Sequence, residues 1–370
     1  MSLFARLAEL VSFDTQNPTG LERPLARLLG RQLDELGATR VEIFEVGHHA
    51  AVYARFGGDR PRLLVNAHID TVPANAGYTG APHALVERDG RLVGLGAADT
   101  KGAIAAIMEA LADMRAAGLA PRDVGVLFSG DEERSGTCMR HFLADPALAG
   151  GLERAIVCEP TGCAVGARHR GIGAVEITAT SPGGHSSRAD LIPGPIATLA
   201  RVAVALDDMG RRLRHEGPPG FEGICMNVAA LDGGLAFNIV PTTATLRISL
   251  RPAPGADMGV LLAEAEGVAR RAAQAVAHDI VWTVVNANPP FQTRALGSFE
   301  PLLGDRARRP LDLAFWTEAA LLSAAGIDAV VFGPGRIEQA HAADEYVELS
   351  ELETARDLLV RVFERGAEPV

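Results

Sequence analysis

Short apolar runs alternate with amphipathic stretches through the first 160 residues: 62–67, then 101–117, then 124–129, then 154–158. Apolar runs of four to eight residues read as buried strands, and the long stretch between them reads as helix. This rhythm predicts an α/β domain with a mixed, mainly parallel sheet. In such sheets, working residues collect beyond the carboxyl ends of the strands. The polar fragments of this chain stand there: Leu63-Leu64-Val65 runs into His68, Val126-Leu127-Phe128 into Glu132, Ile156-Val157-Cys158 into Glu159, and Val330-Val331-Phe332 into the segment bearing His341.

Past Gly171 the rhythm changes. Strand (174–180), helix (195–213), strand (223–231), strand (244–251), helix (256–276) and strand (279–285) form a split βαβ pattern, a self-contained α+β unit set into the larger domain. The expected organisation is a domain of residues 1–170 with 287–370 and an inserted unit of 171–286. The stretch 289–309 reads as a connecting loop and helix.

At 370 residues and 48% hydrophobic content the chain exceeds the size at which one core usually divides. A formal net charge of -11, with scattered Lys and Arg, argues against nucleic acid or an anionic membrane and for small molecules as partners. The amino-terminal residues have helical spacing but no basic start, long apolar centre or small-residue cleavage site, so a cytoplasmic location is expected. Cys138, Cys158, Cys163 and Cys225 form no CxxC pair and read as reduced and mostly buried.

Each polar fragment has an ordinary reading when taken alone. His68 would be a hydrogen-bonded structural histidine, but Asp70 two residues on faces the same side of an extended chain and can orient its imidazole. Gly94-Leu95-Gly96-Ala97-Ala98-Asp99 imitates a dinucleotide fingerprint, yet Asp99 stands where the third glycine belongs. That aspartate is a helix cap or a ligand. Asp131-Glu132-Glu133 alone is a solvated turn; after a strand, neighbouring side chains diverge, so one glutamate can bind metal while the next carries a proton. Glu159 follows four apolar residues, where an unpaired charge is costly and a cation is a natural partner. His341 alone is a loop histidine. Together, two imidazoles and several carboxylates suit a pair of divalent cations with open positions for water and substrate, which makes a hydrolase the leading reading.

In this order the fragments resemble the M20 family of co-catalytic zinc peptidases and deacylases, over nearly the whole chain. Through Val11-Ser12-Phe13-Asp14-Thr15-Gln16-Asn17-Pro18, Phe315-Trp316-Thr317-Glu318-Ala319, and Gly333-Pro334-Gly335 on to Gln339-Ala340-His341-Ala342-Ala343-Asp344-Glu345-Tyr346, the chain is similar to the family's acetylornithine and N-acetylcitrulline deacetylases. The resemblance implies a zinc-exopeptidase-like catalytic domain with an inserted ferredoxin-like lid and dimerisation domain, and hence a homodimer. It implies two divalent metal ions, zinc first with cobalt as the alternative. Asp99 would bridge them, His68 and Glu159 would complete one shell, and Glu133 and His341 the other. Glu132 would be the general base and Asp70 the partner of His68. The Asp99–Thr100 peptide bond would be cis; Thr100 departs from the methionine often found there without touching a ligand.

The same resemblance gives Gly183-Gly184-His185-Ser186-Ser187 an oxyanion donor in His185, often supplied by a second subunit, against the plainer reading of a turn histidine. Asn238 and Arg251 would hold the substrate's α-carboxylate, a task that suits a guanidinium, although Arg251 also fits a solvated strand end. Thr317, Glu318 and Gly333 are expected on the substrate side, with Glu318 facing a terminal amine by charge complementarity. The implied reaction is hydrolysis of a linear amide, removing acetyl from ornithine or citrulline in arginine biosynthesis. The alternatives are a dipeptidase or a succinyl-diaminopimelate desuccinylase of the same family, and, in a different class, a metal-binding sensor without turnover. Thr317-Glu318-Ala319, where desuccinylases resemble Ser-Asp-Gly, counts against the desuccinylase, and intact Glu132 counts against the sensor.

Overall fold

A computed structural model describes residues 2–18 and 20–367. Its contacts divide the chain into two compact units, one of residues up to Ala167 together with those from Thr293 onward, the other of Arg168–Gln292.

The first unit is built on a sheet in the order Arg40–Val46, His49–Phe56, Val124–Ser129, Leu63–His68, Arg154–Val157, Asp328–Val331 and Gly166–His169. The four strands from Val124–Ser129 to Asp328–Val331 run parallel, and the outer ones are antiparallel. All four parallel strands are buried along their whole length, which is why they read as unbroken apolar runs rather than alternating ones. The register sets His68 opposite Ser129 and Asn66 opposite both Leu127 and Val157. Three chain segments therefore leave the sheet side by side at one edge.

Helices cover this sheet. Lys101–Ala116 is buried on nearly every side because Leu3–Val11 and Leu349–Arg365 pack against it. Leu7, Leu29, Ile104, Met108, Phe128, Phe332, Leu359 and Phe363 belong to one core cluster. A small antiparallel sheet of Val86–Arg88, Arg91–Val93 and Tyr346–Glu348 anchors the segment that follows His341.

In the second unit, four antiparallel strands lie in the order Cys225–Gly233, Thr243–Arg251, Ile172–Thr180, Ile280–Asn288, with helices Pro195–Arg212 and Met258–Gln274 contributing to its core. This is the split βαβ arrangement, and Asp257 caps the second helix by accepting from the Val260 N–H. The expected strands at 223–231 and 279–285 form two and three residues further on at their far ends, where β-bulges after Val228 and Val284 shift the register. The 289–309 stretch also holds a short strand, Phe291–Gln292, besides its helical turns. Among the described residues, no helix is long and apolar enough to cross a membrane.

A candidate metal centre

His68 is the last residue of its strand and is 1% exposed. Its Nδ1 donates to the Asp70 backbone oxygen at 2.9 Å, and the Asp70 carboxylate is further away, at 3.5 Å. Because a carbonyl can only accept, Nδ1 carries the proton and Nε2 faces the site. Asp70 thus holds His68 through its main-chain oxygen, with its carboxylate 3.5 Å from the same nitrogen. Its carboxylate has other work: it accepts from Asn17 at 2.7 Å and from the N–H groups of Glu132 and Glu133 at 3.2 Å each. One buried aspartate therefore ties the His68 strand end to the glutamate turn.

Asp99 lies just before the Lys101–Ala116 helix, next to a cis Asp99–Thr100 peptide bond. Its Oδ1 is 2.9 Å from His68 Nε2, and its Oδ2 is 3.4 Å from His341 Nε2. Glu133 Oε1 is 3.0 Å from that same His341 nitrogen, and Glu159 Oε1 is 4.0 Å from His68 Nε2. Five side chains from five segments thus converge, with Asp99 in the middle and an imidazole on either side. Ligand atoms of His68, Asp99 and Glu133 all lie within 4.8 Å of one another.

The electrostatics are those of crowded acids. Burial, joined by Asp99, Glu133 and Glu318, pushes Glu159 well above the carboxylate range against the pull of His68. Burial also raises Glu132, with Glu159, Glu133 and Glu318 adding to it, and raises Glu133, with Asp99 adding to it. Asp99 goes the other way: burial opposes its charge, but His341 and His68 hold it far below the usual range. Burial would lower His68, yet Asp70, Asp99 and Glu159 push it well above the imidazole range, and His341 is lifted to about 10 by Asp99 and Glu133. Nitrogen and oxygen donors at this density, with acids outnumbering imidazoles, fit divalent cations such as zinc: positive charge at the centre would relieve the carboxylate repulsion and take up the imidazole lone pairs.

Several residues that hold this arrangement had no role assigned from the sequence. Glu345, 2% exposed, accepts from the N–H groups of Gly96, Ala98 and Asp99 at 3.0, 2.9 and 3.0 Å, gripping the loop that presents Asp99. Ser129, fully buried, donates to Glu318 at 2.6 Å and accepts from Asn66 at 3.1 Å, beneath the strand ends.

The remaining candidates are placed as follows. Glu318 is 1% exposed, and burial lifts its pKa to about 7. Thr317 is buried beside it and caps the following turn by accepting from the Ala319 N–H. Both main-chain groups of Gly333 are engaged within the protein: the N–H donates to Thr161 and the C=O accepts from Cys163. A Cβ there would fall 2.7 Å from the Glu159 carbonyl oxygen, so this glycine allows close approach to the Glu159 strand end. In the second unit, His185 is exposed on a two-residue strand opposite Ile239, and Asn238 accepts from the Ser186 N–H, so His185 and Asn238 are neighbours. Arg251 stands at the opposite end of the nine-residue Thr243–Arg251 strand, opposite Cys225. At ~3.4 Å per residue, the length of that strand sets Arg251 roughly 27 Å from Thr243.

Comparison with known proteins agrees with this geometry. The family description "Peptidase family M20/M25/M40" matches residues 64–365. The chain is 35% identical to an N-acetyl-L-citrulline deacetylase of Xanthomonas campestris, over 98% of this chain and 97% of that one. It is 31% identical to an acetylornithine deacetylase of Proteus mirabilis, over 92% and 89%. Among solved structures, it superposes on an M20 family metallo-carboxypeptidase of Sulfolobus solfataricus with a TM-score of 0.78 at 17% identity, covering 98% of this chain and 99% of that one. A dinuclear metal-binding M20 peptidase of Bacillus subtilis gives 0.68 at 16% identity, covering 98% and 99%. With its parallel strand ends, its convergent His, Asp and Glu side chains and these similarities, the chain belongs to peptidase family M20/M25/M40.

Proposed function

We propose that this protein is a metal-dependent amidohydrolase that removes a short acyl group, acetyl foremost, from the α-amine of an amino acid such as citrulline or ornithine. The observation that carries this reading is the gathering of His68, Asp99, Glu133, Glu159 and His341 around one point, with Glu132 beside them, in a chain similar end to end to a protein named N-acetyl-L-citrulline deacetylase. Asp99 would be shared between two cations, zinc foremost, with His68 and Glu159 on one side and Glu133 and His341 on the other. Bound there, the pair supplies Lewis acidity to the acyl oxygen and acidifies a water at the site.

The chain's own residues do the rest. Glu132 takes a proton from the attacking water and returns it to the amine nitrogen as the C–N bond breaks, a role that suits a carboxylate whose pKa desolvation and neighbouring acids raise above the ordinary range. Asp70 holds the N–H of Glu132 while its own carbonyl fixes the His68 ring, so base and ligand keep one spacing. Glu318 would meet the far end of the substrate side chain, and its Ser129 bond fixes its position. His185 and Asn238, exposed and adjacent, would be lent by a second copy in a homodimer, His185 as the oxyanion donor and Asn238 on the α-carboxylate. Arg251, at the end of its strand away from Thr243, would join Asn238 on the α-carboxylate. Four free thiols, three of them buried, suit the reducing cytoplasm.

A panel of N-acetylcitrulline, N-acetylornithine, N-acetylmethionine, succinyl-diaminopimelate and a dipeptide, assayed with added zinc or cobalt, tests the reading. Fastest turnover of an N-acetyl amino acid is expected. Preference for the dipeptide or the succinyl substrate would move the protein to another branch of the family, and no turnover at all would leave a metal-binding protein.

A further inference from the structure

Gly130 and Asp131 precede the proposed base and bind no metal in the scheme above, yet they are the most closely supported part of the turn. A Cβ at Gly130 would fall 2.1 Å from Glu22 Oε2 and 2.6 Å from the Ala50 carbonyl oxygen, so the turn lies directly on the Glu22 carboxylate. Glu22 is 2% exposed and comes from the start of a different helix, Glu22–Glu35. It accepts from the Ala50 N–H at 2.8 Å, and its other oxygen lies 2.7 Å from His49 Nδ1. The far nitrogen of the same ring, Nε2, lies 3.3 Å from Asp131 Oδ1. Asp131 is 2% exposed and left-handed at φ 64, and its second oxygen accepts from the N–H and hydroxyl of Thr137. An aspartate held in this sparsely populated backbone region needs surroundings that fix it there.

We infer that buried Glu22 and Asp131, joined through His49, form a relay that positions the Glu132 carboxylate for proton transfer. The relay grips the turn on one side and Asp70 grips it on the other through the N–H groups of Glu132 and Glu133. With both grips in place, the backbone that carries Glu132 is held from two sides. A base displaced by about 1 Å loses a large part of its rate advantage, so residues that never touch substrate can govern turnover. His49 is a positioning residue in this scheme, one ring joining two carboxylates from separate elements, and Glu22 is its anchor.

The inference rests on the amidohydrolase reading, and its test keeps the two apart. His49→Asn and the isosteric Glu22→Gln are compared with the unaltered protein, zinc-loaded, on its best N-acetyl amino acid, with kcat, KM, zinc content and Tm recorded. Each variant is expected to lower kcat roughly ten- to a hundredfold, with KM and zinc content unchanged. In a Glu132→Ala background the same changes should alter the residual rate by less than about twofold, because the relay acts through that carboxylate. Equal losses in both backgrounds, an unchanged kcat, or loss of zinc in step with activity would each overturn the relay. If His49→Asn does not fold, Glu22→Gln alone decides by the same criteria. An unaltered protein inert toward every N-acyl amino acid would instead sink the amidohydrolase reading.

Discussion

Asp70 shows how much one side chain carries at this centre, since its carbonyl sets the His68 tautomer and its carboxylate holds Asn17 and the N–H groups of Glu132 and Glu133. If Glu132 is the base and not a ligand, Glu132→Ala keeps both zinc ions and loses about 10²–10⁴-fold in kcat, and metal analysis finding one site empty would make it a ligand. Glu345 acts one step back, through three N–H groups on the Asp99 loop. Replacing it with Gln puts an NH2 against N–H donors, so zinc affinity should fall about 10–100-fold while the fold survives; an unchanged zinc titration would show that the loop holds Asp99 without it. The convergent residues were legible because each is a charge set at the end of an apolar run, where solvation alone does not explain it. Glu22, His49, Ser129 and Glu345 were not, because their partners are main-chain groups and side chains distant in sequence, and no local spacing marks them.

The parallel strands and the Lys101–Ala116 helix read directly from the sequence, since burial on both faces leaves continuous apolar runs. The Arg40–Val46 and His49–Phe56 pair did not, because Ala50, Ala51 and Ala54 have little strand preference of their own and become strand by pairing, Ala50 and Ala51 with Glu45 and Phe44, and Ala54 with both Val41 and Val126. The bulges at Val228 and Val284 likewise depend on partners across the sheet, so strand ends there were misjudged. Close approach between elements carries its own prediction. Gly333→Ala forces a methyl against the Glu159 main chain, and should cost about 1–3 kcal/mol in chemical denaturation and lower zinc affinity with it. A variant as stable as the parent would mean that the two segments separate easily.

For the molecule as a whole, the change of rhythm near Gly171 marks where a parallel α/β architecture gives way to an antiparallel unit, and the contacts divide at Ala167/Arg168 and Gln292/Thr293. What local spacing does not contain is the strand pairing that sets Arg251 opposite Cys225, at the end of its strand away from Thr243. Metal bound where these five segments converge would also link metal to stability. Zinc at 100 times its dissociation constant should add about 2.7 kcal/mol and raise Tm, and a Tm indifferent to zinc and chelator would contradict that coupling. The most direct test of the central claim is metal stoichiometry joined to turnover: zinc per chain by elemental analysis, with amide hydrolysis measured before chelation, after it, and after zinc is restored. The account predicts about two zinc ions per chain, activity lost on chelation and regained with zinc. Turnover that persists in metal-free protein, or a chain that binds no zinc at these five residues, would contradict it.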